Sequence, residues 1–591
     1  MSTDISPTIQ IREIQGQPLN SEQTHYLSGF FSGLAAQGVT FAEAVATAPK
    51  ESEDALPLIT EERIKREENP LESYYKIVEN ARNNQAPDKE DTFRFKWNGL
   101  FYLTPVKDAF MCRLRIPGGV VKSFQLKELA NISKKLTTGY VQITTRANFQ
   151  IRLIQPKDAP EVLRKIQNVG LHTKGSGADN IRNITANPTA GIDPYELIDV
   201  MPYVEELAQY IISHQEFYDL PRKFNIAFDG GGLIGSVEDT NDIGVKAVAV
   251  EENDQGIKPG IYFQMKLGGA TGHKAFARDC GILIPPEDLI RTLIATVRIF
   301  IKNGNRTDRK RARLKHLLEK WTLTQYIAEV EKVLGHPLLT HAANETGRIS
   351  CVKDAALPPV PHSHVGVFEQ KQRDLFYIGV AFPVGQITPD QMIRLAELAD
   401  EFGSGEIRLT VWQNLIIPNI KKENVLKAQK SIEKMGLHWK QSNLSSGVIA
   451  CTGNRYCKYS STDTKGHAQN LIRYLEKKKI QLDQPINIHF TGCPHSCAQH
   501  YMGDIGCLGT KASTAGAQTE AYHIFVGGGF GSHQAIGRQV FQGLSVDELN
   551  PMIERMIRTY LEHRENNESF LAFTTRHDLN ALQVLFSSDP L

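Results

Sequence analysis

At 591 residues, 41% apolar and 23% charged, the chain has an ordinary globular composition and too much length for one hydrophobic core. Its formal charge of +1 excludes a generally basic nucleic-acid binder, and no apolar run reaches the ~18 residues of a membrane span. Eight cysteines suit a reducing compartment and exclude a small disulfide-built scaffold.

The N-terminal stretch MSTDISPTIQIREIQGQPLN lacks the basic-then-apolar layout of a signal peptide and carries acids that a transit peptide avoids, so the cytoplasm is the expected compartment. Residues 25–38 read as a short helix, and residues 50–91, charged and proline-punctuated, as a surface run. From Phe110 the sequence repeats itself. The segment opening FMCRLRIPGG and closing TTRANFQIRL has a counterpart from Phe376, opening FYIGVAFPVG and closing TVWQNLIIP. Pro117 matches Pro383 and Asn148 matches Asn414, both at an offset of 266. Each copy reads strand, tight turn, amphipathic helix, short loop, strand; over 388–402, Met392, Leu395, Leu398 and Ala399 mark one apolar face.

The segments that follow each copy also pair. KFNIAFDGG from Lys223 resembles INIHFTGC from Ile486, with Phe228 matching Phe490 and Ile243-Gly244 matching Ile505-Gly506 at an offset of 262. Leu197, Met201, Val204, Leu207 and Ile211 stripe a helix in the first of them. The order A–B–A′–B′ after an N-terminal extension predicts an α+β fold with a pseudo-two-fold axis and ligands where the halves meet. GGGLIG (230–235) and GGGFGS (527–532) follow matched strands and do not open helices in the GxGxxG manner, so they read as turns.

Four cysteines carry the chemistry. Five residues separate Cys451 from Cys457, three separate Cys493 from Cys497, and 35 lie between the pairs. Four thiolates on two turns suit a cubane iron–sulfur cluster, which takes one sulfur ligand per iron. Zinc is the rival, although its usual spacers of two to four residues fit Cys-x5-Cys poorly.

With these cysteines and the repeat together, the chain from about Phe95 onward resembles the siroheme-dependent nitrite and sulfite reductases, above all the ferredoxin-dependent assimilatory nitrite reductases. The resemblance implies siroheme, an iron tetrapyrrole bearing eight carboxylates, coupled to a 4Fe–4S cluster through a shared cysteine sulfur. Cys497 would be the bridge, and Cys451, Cys457 and Cys493 would hold the cluster alone. It divides the chain into an extension (1–92), a first ferredoxin-like half-domain (93–160), a siroheme and substrate domain (161–355), a second half-domain (356–425) and a cluster- and siroheme-binding domain (426–591).

Eight carboxylates and an anionic substrate need fixed cations. The resemblance points to the run NGNRTDRKRARLK (303–315), with Arg309, Arg311, Arg313 and Lys315 as siroheme contacts, and to Arg146 and Asn148 in TTRANFQIR. The matched copy has Trp412 where the first has Arg146, so that arginine belongs to one half only. Arg113, Arg182 and Lys223 look substrate-facing: guanidinium forks match bent oxyanions, and such groups can feed protons to a breaking N–O bond. Asn225 lies two residues after Lys223 and so on the same strand face. Sulfite reductases of the family tend to carry a second lysine there, and charge matching favours monoanionic nitrite beside asparagine. Cys112 departs from the methionine often found before that first arginine.

The implied activity is the six-electron reduction of nitrite to ammonium, by a monomer with no nucleic-acid or membrane partner. With no flavin or nicotinamide module in the chain, a ferredoxin or similar small acidic carrier would supply the electrons. Assimilatory sulfite reduction is the alternative, a siroheme-containing oxygenase of cobalamin synthesis a more distant one, and a zinc-stabilised binding protein the non-enzymatic one.

Overall fold

The second half-repeat shows how local sequence builds the frame. Helix Pro389–Phe402 opens on a reciprocal cap, in which Thr388 Oγ1 accepts from the Gln391 amide and Gln391 Oε1 accepts from the Thr388 amide at 3.0 Å. Pro389 fills the first helical position, where no amide hydrogen is needed. The predicted stripe of Met392, Leu395, Leu398 and Ala399 is buried and shares one core with Leu126, Leu129 and Ile132 of the matched helix Ser123–Leu136. Each leucine, isoleucine and methionine among them contributes about 1.5–3 kcal/mol.

The two half-repeats do not form separate sheets. Val120–Lys122 from the first copy pairs with Glu406–Leu409 of the second, Val121 opposite Ile407. Reciprocally, Gln386–Ile387 pairs with Val141–Ile143, Ile387 opposite Val141. Each antiparallel five-stranded sheet therefore ends on a short strand lent by the other copy. Lys122–Glu406, Lys127–Asp400 and Lys134–Asp390 ion pairs run across the join.

The B segments each form a mixed sheet on its own core. Ile226–Asp229 runs parallel to Ile243–Val250, and Ile488–Thr491 parallel to both Val448–Ala450 and Ile505–Thr514; antiparallel strands complete both sheets. The fold is α+β, as the repeat predicts.

The computed structural model describes residues 58–102, 105–106, 108–137, 140–253, 256–341, 352–357, 362–514 and 517–588, with six positions before residue 58. Thr60–Leu591 forms one compact unit; Met1–Ile59 is a second, whose described part includes a hairpin of Glu13–Ile14 with Gln17–Pro18. The helix expected over 25–38 lies outside the described residues. The described part of 50–91 departs from the expected surface run. It forms helices Thr60–Glu67, Tyr74–Arg82 and Lys89–Arg94, burying Ile64 and Ile77. High charge hid this, because Lys65 is itself buried, 3.3 Å from Asp219 and donating to the Leu220 carbonyl at 2.9 Å. Leu197 precedes its expected helix, which starts at Met201; its amide donates instead to Gly230. The glycine runs are turns, with Gly231, Gly232, Gly527 and Gly531 at positive φ. Among the described residues no helix is long and apolar enough to cross a membrane.

Candidate active site

Cys451 and Cys493 leave the same end of two adjacent parallel strands. Ala450 lies opposite Phe490, the Cys451 amide donates to the Phe490 carbonyl at 2.9 Å, and Gly492 precedes Cys493. The Gly492 amide donates to Cys451 Sγ at 3.2 Å. A Cβ at Gly492 would stand 1.7 Å from Ser460 Oγ, so only glycine lets the two cysteine loops meet here. Cys457 closes the first loop through its amide to the Gly453 carbonyl at 3.1 Å. Thr464 Oγ1 donates to the Cys451 carbonyl at 2.9 Å and lies 3.5 Å from Cys451 Sγ.

Burial pushes the Cys493 thiol up to about 11 and Cys497 to about 12, and the charges of Cys451 and Cys457 act in the same direction on both. The four sulfurs thus share one electrostatic neighbourhood. They are not drawn onto a point: among the described residues no three metal-binding side chains converge as ligands of a single ion would. Cys497 is exposed by area yet deep by environment, which places it on the wall of an internal recess.

Arg113, Arg182, Lys223 and Arg146 are half-buried around that recess. The Arg113 and Arg182 forks converge on the Ser176 carbonyl, at 3.5 and 2.7 Å, and Arg182 also donates to Ala178 at 2.8 Å. Burial lowers the affinity of both for their protons; Arg182 is lowered further by Arg113, whereas the Cys497 charge supports Arg113. Lys223 is pushed down to about 7, first by burial and then by Arg313, with Cys497 opposing. Exposure alternates along 223–226, half-buried at Lys223 and Asn225 and buried at Phe224 and Ile226, which confirms the shared face. The Asn225 amide donates to Asp242 at 2.8 Å, while neither the Asn225 nor the Lys223 side chain bonds to any described residue.

Arg146 comes from a turn used twice. Thr144 and Thr410 each receive a bond from the residue three ahead, and Ala147 and Gln413 both take positive φ. One copy aims Arg146 and the other Trp412, which stacks on His364. Arg146 Nη2 donates to Asn241 at 2.7 Å, but its Nε is buried with no partner among the described residues. Burial pushes it down to about 10, Asp242 opposing. Thr145 Oγ1, in the same turn, donates to the Cys497 carbonyl at 3.0 Å. Asn148 does not face the recess as expected. Its side chain accepts from Thr144 and donates to the Leu114 carbonyl at 2.8 Å, which spends it on holding the turn.

The cation run also departs from expectation, because carboxylates consume it. Arg309 forks onto buried Asp179 with both bonds at 2.8 Å, and Arg313 onto buried Asp242 at 3.1 and 2.7 Å. Arg311 points outward to Glu319 at 2.9 Å. Lys315 approaches the His273 carbonyl at 3.4 Å and Glu319 at 3.5 Å. Charge density in sequence says nothing about partners, and these partners lie 130 and 71 residues away for the two buried pairs. By contrast, Arg113, Arg146, Arg182 and Lys223 have no carboxylate within ion-pair distance among the described residues, which leaves their charge for an anion.

Three groups escaped the sequence reading. Lys96 is pushed down to about 8 by burial, then by Arg182, and so lies among the recess cations. Arg222, beside Lys223 in LPRKFN, is 3.6 Å from Asp179. Buried Arg115 donates to the carbonyls of Lys174, Gly175, Ile181 and Arg182 at 2.6–3.3 Å and so pins the loop that presents Arg182. Only the alternation of FMCRLR hints that Arg113 and Arg115 share a face.

Known proteins place this architecture. A profile described as "Nitrite and sulphite reductase 4Fe-4S domain" matches residues 177–338 and 442–573, and one described as "Nitrite/Sulfite reductase ferredoxin-like half domain" matches 104–169 and 368–435. A ferredoxin–nitrite reductase of Leptolyngbya laminosa is 33% identical over 85% of this chain and 96% of its own length. A chloroplastic ferredoxin–nitrite reductase of Arabidopsis thaliana is 33% identical over 85% of this chain and 86% of its own. A ferredoxin sulfite reductase of Mycolicibacterium paratuberculosis is 29% identical over 90% and 97%. The solved structure of Mycobacterium tuberculosis NirA protein superimposes with a TM-score of 0.80 at 28% identity, covering 89% of this chain and 98% of that one. Both halves of the repeat and all four cysteines fall inside the matched segments, and the chain belongs to the nitrite and sulphite reductases, oxidoreductases whose cofactors are siroheme and a 4Fe–4S cluster.

Proposed function

We propose that this chain reduces nitrite to ammonium with electrons taken singly from reduced ferredoxin; its relatives from Leptolyngbya laminosa and Arabidopsis thaliana carry the name ferredoxin–nitrite reductase. The observation that favours nitrite is the neutral Asn225 on the same face as Lys223, where the sulfite reductases of the family tend to carry a second lysine.

The residues present fit both cofactors. Cys451, Cys457, Cys493 and Cys497 would hold the cluster, Cys497 from the recess wall. The Nε of Arg146, unpartnered among the described residues, and Lys96 would meet siroheme carboxylates. Arg309, Arg311, Arg313, Lys315 and Asn148 are left out of that set, since each is engaged within the protein. When bound, siroheme and cluster supply the redox chemistry and pass electrons to the substrate.

The rest falls to side chains. Arg113 and Arg182, anchored on one carbonyl, would clamp the nitrite oxygens with donors that need little rearrangement as negative charge develops. Lys223, pushed down to about 7, holds its proton weakly at neutral pH and can deliver it to an oxygen leaving as water. Asn225 would orient the anion without adding charge.

Sulfite reduction is the second reading, supported by the Mycolicibacterium paratuberculosis relative. Purified holoprotein assayed with reduced ferredoxin against nitrite and sulfite side by side separates the two: the proposal expects the larger kcat/KM for nitrite, and a larger value for sulfite would overturn it.

A further inference from the structure

Two buried cations with no carboxylate partner among the described residues lie behind the loop that carries Cys451 and Cys457. Lys465, 4% exposed, sits in the first turn of helix Thr464–Lys478. Its ammonium donates to the Val384 carbonyl and, at 3.3 Å, to that of Ala450, the residue before Cys451. Arg152, also 4% exposed, reaches over from strand Phe149–Ile154 of the first half-repeat. Its Nη2 donates to Thr452 Oγ1 and Gln150 Oε1, both at 2.6 Å, and its Nε to Gln142 Oε1 at 2.8 Å. Every bonded partner of both cations is neutral.

Both placements are costly. A lysine in the first turn of a helix opposes the helix dipole, and a buried charge without an opposite charge is unfavourable. Burial pushes Lys465 down to about 7 and Arg152 to about 10. The nearest acid in sequence, Asp463, is engaged with Arg455 at 2.7 Å and caps the helix through the Gly466 amide. The charges that support the two cations include those of the cysteines, Cys451 ahead of Asp463 for Lys465, and Cys457 after Tyr140 for Arg152. A cluster held by four thiolates is anionic and gains one more negative charge on reduction, so fixed cations beside it favour the reduced form.

We infer that Arg152 and Lys465 are positioning residues that raise the reduction potential of the cluster, acting through the loop 451–457 by hydrogen bond and charge. This rests on the reading that Cys451, Cys457, Cys493 and Cys497 hold that cluster.

The test uses purified holoprotein with Lys465→Met, Arg152→Gln and Lys465→Arg, its iron and sulfide content measured before a redox titration followed by electron paramagnetic resonance. At wild-type iron and sulfide content, the first two variants should lose at least tenfold in the reduction equilibrium, a midpoint about 59 mV more negative for one electron. Lys465→Arg should stay near wild type. Unchanged midpoints in both neutralised variants overturn the inference, and so does failure of both to assemble a cluster, which would give these residues a role in loop folding alone. Failure of the underlying reading looks different: the cluster signal would then survive in Cys451→Ser and Cys493→Ser proteins.

Discussion

Replacing Asn225 with lysine tests the charge argument most directly. At ~3.3 Å rise per residue, side chains two apart on an extended segment start about 6.6 Å from one another. Two ammonium groups at that spacing repel by about 2.5 kcal/mol at an effective dielectric of about 20. An anion ~5–6 Å from the new cation recovers about 3 kcal/mol per unit of its charge on the same footing. A monoanion therefore gains almost nothing net, whereas a dianion gains about 3 kcal/mol, reduced to about 1–2 kcal/mol by water in a half-buried recess. Lys223, already pushed down to about 7, would hold its proton still less firmly, so nitrite turnover should fall. The measurement is kcat/KM for sulfite over nitrite in wild type and Asn225→Lys, with reduced methyl viologen at mildly alkaline pH. The ratio should rise about 5–30-fold. An unchanged or lower ratio in a variant with intact cofactor absorption would refute the assignment of Asn225 to selectivity.

Arg113→Ala, Arg182→Ala and Lys223→Ala should each keep siroheme absorption while losing roughly 2–4 kcal/mol of transition-state stabilisation, read from nitrite kcat/KM; normal kinetics in all three would move the substrate site elsewhere. If Cys497 joins cluster and heme as proposed, Cys497→Ser should abolish their magnetic coupling, since a hydroxyl is a poor substitute for a thiolate; coupling that persists would rule out that role. Arg146→Gln should lower siroheme content and Arg311→Gln should not, because only the first has a buried unpartnered donor. Acid should destabilise the fold. Burial pushes His172, His362 and His489 down to about 4 and His500 to about 3, below the ordinary 6.5, so the unfolded chain binds more protons and stability drops as pH falls from about 6.5 to 4. Buried Asp229, Asp239 and Asp504, raised to about 6, offset part of that loss. Urea unfolding midpoints should be lower at pH 5 than at pH 7.5, and the reverse order would contradict this balance.

The cysteine quartet and the repeat were legible because their signals are local spacings and constant offsets. Arg113, Arg146, Arg182 and Lys223 stood out in the sequence as a set; all four are half-buried, and Arg113 and Lys223 feel the charge of Cys497. The run 303–315 gave no hint of its partners, since Arg309 and Arg313 pair with Asp179 and Asp242, residues with no signature of their own. Asn148 matched Asn414 at the shared turn, where the amides of Thr144 and Thr410 donate to their carbonyls. Arg152 and Lys465 gave no signal because nothing in sequence reveals that two cations from different repeats converge behind one loop. The exchange of short strands between the copies was equally silent, as it depends only on which edges are left open.

That exchange sets a timetable for synthesis. Val141–Ile143 leaves the ribosome with one edge open, and its partner Gln386–Ile387 follows about 245 residues later. At ~5–20 residues per second the wait is roughly 12–50 s. Through that interval an apolar strand edge is available to pair with another chain. The first half-repeat is therefore a poor candidate for expression as an isolated fragment, and production of the whole enzyme should be sensitive to temperature and to chaperones that cover nascent edges. The same interlock gives the finished molecule few ways to come apart piecemeal, because neither half-repeat can leave without opening both sheets at once.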